Sequence, residues 1–182
     1  AHALVDRTGK SMPLRAGTFR PVSGRLIRQL LTEETGASVI NWLVPKQLFE
    51  MLGGFDQQMS LREDLDLALR LACAADAIAV PEVIALAREH LDRRTRNVHE
   101  QHRLTARVFK QAVARLDDLQ LRRLAQVRYA AHVANAGRAL LAKGRLLAGM
   151  RLIGQALLNG ARPHTLLRAA SAGLWHAIRV NR

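Results

Sequence analysis

Glu63 and Asp64 stand side by side at what reads as the start of a helix, downstream of the run Gly53-Gly54-Phe55-Asp56. A carboxylate in a first helical turn faces the positive end of the aligned backbone dipoles, which favours its ionised form by about 0.3–1 kcal/mol. An ionised carboxylate beside a glycine-bearing loop, able to flex around a second reactant, is what a general base requires. Asp64 is the candidate for that role. Glu63 has two explanations, because Ser60-Leu61-Arg62-Glu63 also spells a capping box in which hydroxyl and carboxylate each satisfy a free backbone N–H. A second candidate is the pair His99 and His102, three residues apart on one helix face and so spaced for a metal ion. No acid completes that set, since Glu100 points elsewhere on the helix, and a solvated surface is the expectation. Cys73 is the sole cysteine, which excludes an internal disulfide framework and a cysteine-based zinc cluster. No glycine-rich phosphate loop follows a strand.

The elements that must position these groups follow from periodicity and turn residues. Residues 3–6 read as a short strand. Residues 10–23, with Pro13, Gly17 and Pro21, read as a loop. Residues 24–34 place Leu26, Ile27, Leu30 and Leu31 at helical spacing. The β-branched and aromatic run 37–44 reads as a buried strand. Pro45 suits the first position of a helix that buries Leu48, Phe49 and Leu52 and stops at Gly53-Gly54. The next helix opens at Ser60, with Leu61, Leu65, Ala68, Leu69 and Ala72 as its apolar face and Asp66–Arg70 as an i,i+4 ion pair. Residues 78–80 and 83–86 read as two strands around Pro81-Glu82. From Asn97 onward the pattern is helical, over 97–117, 119–142, 145–158 and 164–179. Ala142, Gly144, Ala148, Ala156 and Pro163 are small or constrained residues where two helices must approach, resembling one tetratricopeptide-type hairpin with its turn at Lys143-Gly144-Arg145.

The stretch NWLVPKQLFEMLGGFDQQMSLREDLDLALRL, residues 41–71, resembles the C-terminal half of the catalytic domain of family-2 inverting glycosyltransferases, whose pattern runs roughly rr.lf...GGFDE......ED.dl.lRl. Val80-Pro81-Glu82 and Arg88-Glu89-His90 match the family's following "vPe" and "R.H" segments, and Gln57 departs from its usual Glu. The resemblance covers residues 1–96. It implies an α/β fold: the acceptor half of a GT-A-type nucleotide-sugar transferase domain, followed by an all-α tail. It assigns the general base to Asp64 and puts Glu63, Gly54, Phe55 and Asp56 on the acceptor side. Arg88 is then placed to pair with a phosphate or with Glu82, and Trp42 to stack on a sugar or to sit in the core. His90 falls where some members reach the metal or the diphosphate, with a core histidine as the bland alternative. The implied partners are a nucleotide-sugar donor, a glycan or lipid-linked acceptor, and a divalent metal, Mg²⁺ or Mn²⁺.

The family's Asp-x-Asp metal motif has no counterpart before residue 60, where the match Asp64-Leu65-Asp66 belongs to the helix itself. The expectation is therefore a transferase lacking its donor half: residues 1–96 its acceptor part, residues 97–182 a basic tail, the 182-residue chain inactive and unable to bind a nucleotide sugar alone. The sequence does not begin with Met and shows no signal-peptide core, which fits a cytoplasmic protein whose natural start lies upstream.

Charge divides the chain in the same place. Residues 1–90 hold 10 Lys and Arg against 11 Asp and Glu, and residues 91–182 hold 18 against 4, giving a net +13 overall. No acid follows Asp118. Such a tail attracts polyanions, and a basic helical module binding nucleic acid or a protein is the alternative reading of the whole chain. Against nucleic acid stand the absence of a recognition signature and an aromatic content of 4%, too low for a base-stacking platform. That reading also leaves the Gly-Gly-Phe-Asp and Glu-Asp motifs unexplained. The longest uncharged run is 11 residues, against about 20 for a membrane span. Residues 119–182 instead suit peripheral contact with an anionic membrane, through 11 basic residues and an apolar stripe of Leu146, Leu147, Met150, Ile153 and Leu157.

Overall fold

The computed structural model describes residues 2–5, 10, 22–32, 39–80, 82, 85–88 and 97–161. The chain divides into two compact units, Ala1–Arg94 and Thr95–Arg182. Helix accounts for 66% of the described residues.

In the first unit, strand β1 (His2–Val5) pairs in parallel with β2 (Ala85–Arg88), His2 opposite Ala85 and Val5 opposite Arg88. Between them run α1 (Ile27–Thr32), a 3-10 turn at Val39–Asn41, α2 (Lys46–Met51) and α3 (Glu63–Ala74). The core is α1 packed on α3: Ile27, Leu30 and Leu31 are buried, as are Leu67, Ala68, Leu69 and Ala72. One pair of four-residue strands does not make the sheet of an α/β domain. The expected GT-A-type α/β fold is thereby corrected to a mostly helical one among the described residues.

The strand expected over 37–44 shows why. Its apolar run would need a sheet on either side to bury it. Instead Val39–Asn41 make a 3-10 turn closed by the Trp42 N–H donating to the Val39 carbonyl at 3.2 Å, and Leu43 is fully exposed. Residues 78–80 likewise form no strand. Only Ala77 makes a bridge, exchanging backbone hydrogen bonds with Gly24 at 2.7 and 2.9 Å, and Ile78 lies in solvent.

The second unit stacks α4 (Val98–Arg115) on α5 (Leu119–Leu141) and α5 on α6 (Leu146–Leu158). Side chains set the starts of two of these helices: Asn97 accepts from the Glu100 N–H, and Asp118 from those of Gln120 and Leu121. The turn into α6 passes through Gly144 at φ +73°, a left-handed conformation that costs a glycine nothing. The close approach of α5 and α6 rests on Gly137 and Gly149. A Cβ added at Gly137 would meet the Gly149 carbonyl oxygen at 2.9 Å. Of the small residues expected at this contact, Ala156 is fully buried, whereas Ala142 is exposed and Gly144 belongs to the turn. Pro163 and the helix expected over 164–179 lie outside the described residues. No helix among the described residues is long and apolar enough to cross a membrane.

Candidate functional site

Helix α2 ends where Gly53 and Gly54 take φ +79° and +63°, so the chain reverses on two left-handed residues. Phe55 then folds edge-on against Phe49, with ring centroids 5.5 Å apart, and Gly54 sits over the Phe49 ring. The Asp56 carboxylate accepts from the Gln58 N–H at 2.9 Å, and its carbonyl accepts from the Met59 N–H at 3.0 Å. Phe55 thus has a packing role, and Asp56 builds the turn leading to α3.

Arg70, on the third turn of α3, locks this loop in place. Its Nη1 donates to the Leu52 carbonyl at 2.6 Å and its Nη2 to the Gly54 carbonyl at 2.7 Å. Nε and Nη2 also donate to the Asp66 carboxylate at 2.9 and 2.6 Å. Asp66 is almost wholly buried and Arg70 nearly so. The expected i,i+4 pair is therefore an interior clamp that ties the Gly-Gly-Phe-Asp turn to the helix headed by Glu63 and Asp64. The sequence spacing carries the pair, whereas the two carbonyl partners lie 18 and 16 residues away and depend on the tertiary fold.

The start of α3 differs from the expected capping box. The helix begins at Glu63 itself, and its N-cap is Arg62, at φ +68°, with no side-chain cap hydrogen bond. Arg62 is the one residue other than glycine with positive φ among the described residues. A side chain in that conformation costs about 1–2 kcal/mol. It immediately precedes the acidic pair, and such strain concentrates at functional positions. Asp64 is half-buried, and its Oδ1 accepts from the Leu65 N–H at 2.8 Å. Desolvation raises its pKa above the ordinary aspartate value, outweighing that hydrogen bond, and the neighbouring Glu63 charge adds to the rise. The helix-dipole argument from sequence pointed the other way, and burial wins. Asp64 consequently holds a proton more tightly than a free carboxylate does.

Trp42 is half-buried in the turn after Val39–Asn41 and is not part of a strand. The backbone of Arg88 closes the β1–β2 register opposite Val5. His90 lies outside the described residues. Among the described residues no group of three or more His, Cys, Asp or Glu is suited to hold a metal ion. They therefore supply no cradle for the Mg²⁺ or Mn²⁺ that the resemblance implies.

The histidine pair on α4 is also corrected. His99 Nδ1 lies 3.2 Å from the Ala136 carbonyl oxygen, and His102 Nδ1 lies 3.0 Å from Nδ1 of His132, which stacks on Phe109. These rings belong to the α4–α5 contact, where one imidazole of the His102–His132 pair donates and the other accepts. The partner, His132, is 30 residues away in sequence, beyond what spacing reveals.

Comparison with protein-family profiles, with curated proteins and with solved structures returned no match to this chain.

Proposed function

We propose that residues 53–64 form the acceptor side of an inverting sugar-transfer site with Asp64 as its general base. The observation that carries this reading is the Arg70 clamp, which makes the Gly53-Gly54-Phe55-Asp56 turn and the Glu63-Asp64 helix start one rigid piece. A base and the surface that presents its substrate must keep a fixed separation, because small misplacements are costly in rate.

In the reaction, an acceptor hydroxyl attacks the anomeric carbon of a nucleotide-diphosphate sugar. A new C–O bond forms as the bond to the diphosphate breaks, and the diphosphate leaves with the electron pair. The hydroxyl proton passes to Asp64. The Leu65 N–H already donates to Oδ1 of that carboxylate, which fixes its orientation. A raised pKa strengthens a carboxylate as a base as long as it is ionised at working pH.

The test is transfer by the complete product of the natural gene, assayed with a panel of nucleotide-diphosphate sugars and glycan acceptors. Asp64→Asn should lower turnover by roughly 10²–10⁴ while donor binding is retained. Near-normal turnover in that variant would end the assignment.

A further inference from the structure

Helix α6 has the composition LLAGMRLIGQALL, apolar around nearly its whole circumference. A helix of that kind is either enclosed by protein or meets a second apolar phase. Among the described residues it packs on α5, where Gly149 and Ala156 are buried and Leu152 and Ile153 approach Gly137. Leu146, Leu147, Met150, Leu157 and Leu158 all stay exposed, Leu147 at 82% and Leu158 at 90%. At 3.6 residues per turn, Leu146, Met150 and Leu157 fall in one line, and Leu147 and Leu158 fall in a second line beside it. The packing stripe and the exposed stripe are different faces, so α6 keeps its hold on α5 while offering five large apolar side chains outward.

Charge specifies the occupant. Lys143 and Arg145 are exposed in the turn that leads into α6, Arg151 is exposed next to the line of Leu147 and Leu158, and no acidic residue follows Asp118 anywhere in the sequence. A partner must be apolar at its centre, anionic at its rim, and tolerant of a face with no acceptor groups of its own. A membrane interface with anionic headgroups has those properties. The 13-residue helix is too short to span a bilayer, which leaves it lying in the plane of the surface.

We propose that the exposed face of α6 docks onto anionic lipid, with the leucines and Met150 entering the headgroup boundary and Lys143, Arg145 and Arg151 contacting phosphates.

The test is co-sedimentation of the full chain with vesicles of phosphatidylcholine alone or mixed with phosphatidylglycerol. Binding is expected on the mixed vesicles only, and it should fade as salt rises from about 0.05 to about 0.5 M through the screening range. A chain of net +13 adsorbs to anionic vesicles by charge alone, so the deciding variant is Leu147→Gln with Leu158→Gln, which leaves charge unchanged. It should lower the partition coefficient about tenfold or more by removing apolar contact. Arg145→Gln with Arg151→Gln should lower it by a similar factor. Equal binding of wild type to both vesicle types, or no binding at low salt, would overturn the proposal. So would unchanged binding of the leucine variant, which would mean adsorption by charge alone. A lowered denaturation midpoint in that variant would show the face covered by protein, and a dimer in sedimentation equilibrium that the variant dissolves would assign the face to a second copy. Either result would likewise overturn it.

Discussion

The Arg70 guanidinium grips the Asp66 carboxylate one helical turn away and, on its far side, the carbonyl oxygens of Leu52 and Gly54. One side chain thereby satisfies a buried charge and two backbone acceptors at the end of α2. Only the planar fork of arginine can address three acceptors in these directions.

Arg70→Met is accordingly expected to destabilise the chain by about 3–5 kcal/mol, because the buried Asp66 carboxylate loses its guanidinium partner. Adding Asp66→Leu should recover part of that loss by removing the stranded charge. Arg70→Lys should behave much more like Arg70→Met than like wild type. Urea denaturation reads all three, and a cost for Arg70→Met below about 1 kcal/mol would place the pair in the class of surface ion pairs.

Asp64 makes a pH prediction with a definite sign. Its pKa is raised in the folded chain, so the folded state retains the proton at pH values where the unfolded chain has lost it. The favourable contribution is fully present below the unfolded aspartate value and is lost as pH rises through the folded one. Asp64→Asn cannot ionise and escapes that loss. The stability difference, variant minus wild type, should therefore grow from acid to neutral pH. Denaturant titrations at several pH values between about 3 and about 7 measure it. A difference that shrinks toward neutrality would show that the Leu65 hydrogen bond, and not desolvation, dominates.

The glycine turn gives a graded pair. Gly53 and Gly54 are both left-handed, but an added Cβ meets nothing within 4 Å at Gly53, whereas at Gly54 it meets the Phe49 ring at 3.0 Å. Gly53→Ala should cost about 1 kcal/mol from backbone conformation alone. Gly54→Ala should cost more, since the Phe49–Phe55 contact must also shift. Thermal melts of the two variants compare them, and equal losses would mean that the ring moves freely.

What the sequence disclosed, and what it hid, follows the range of the interactions involved. The i,i+4 spacing of Asp66 and Arg70, the glycine stop after α2, and the helix starts near 97 and 119 are local and readable. The second half of the Arg70 clamp and the His102–His132 contact join distant segments, and no spacing rule reaches them. The helix start lies beyond Ser60 because Arg62 adopts the left-handed conformation and α3 begins after it, which the motif Ser60-Leu61-Arg62-Glu63 does not encode. The run 37–44 was misread because strand propensity describes fit to a sheet, and among the described residues Val39–Asn41 join none.

The contact between α5 and α6 sets the last prediction. In an open helix, alanine is favoured over glycine by about 1 kcal/mol. Gly154 is such a position, with nothing within 4 Å of an added Cβ, and Gly154→Ala should stabilise by about 0.5–1 kcal/mol. At Gly137 the same methyl meets the Gly149 carbonyl oxygen at 2.9 Å, along with Leu152 and Ile153 at 3.1 Å. A backbone atom cannot rotate away, so the helices must separate, at a cost of about 1–3 kcal/mol for overpacking. That cost exceeds the propensity gain, and Gly137→Ala should be destabilising. Gly149→Ala should act in the same direction, since its methyl meets Leu141 at 2.6 Å and the Gly137 carbonyl oxygen at 2.9 Å. The opposite signs at Gly137 and Gly154 isolate helix–helix contact from helix propensity. If Gly137→Ala stabilised the chain as much as Gly154→Ala, the close approach of α5 and α6 would be wrong, and with it the separation of the α6 packing face from its exposed face.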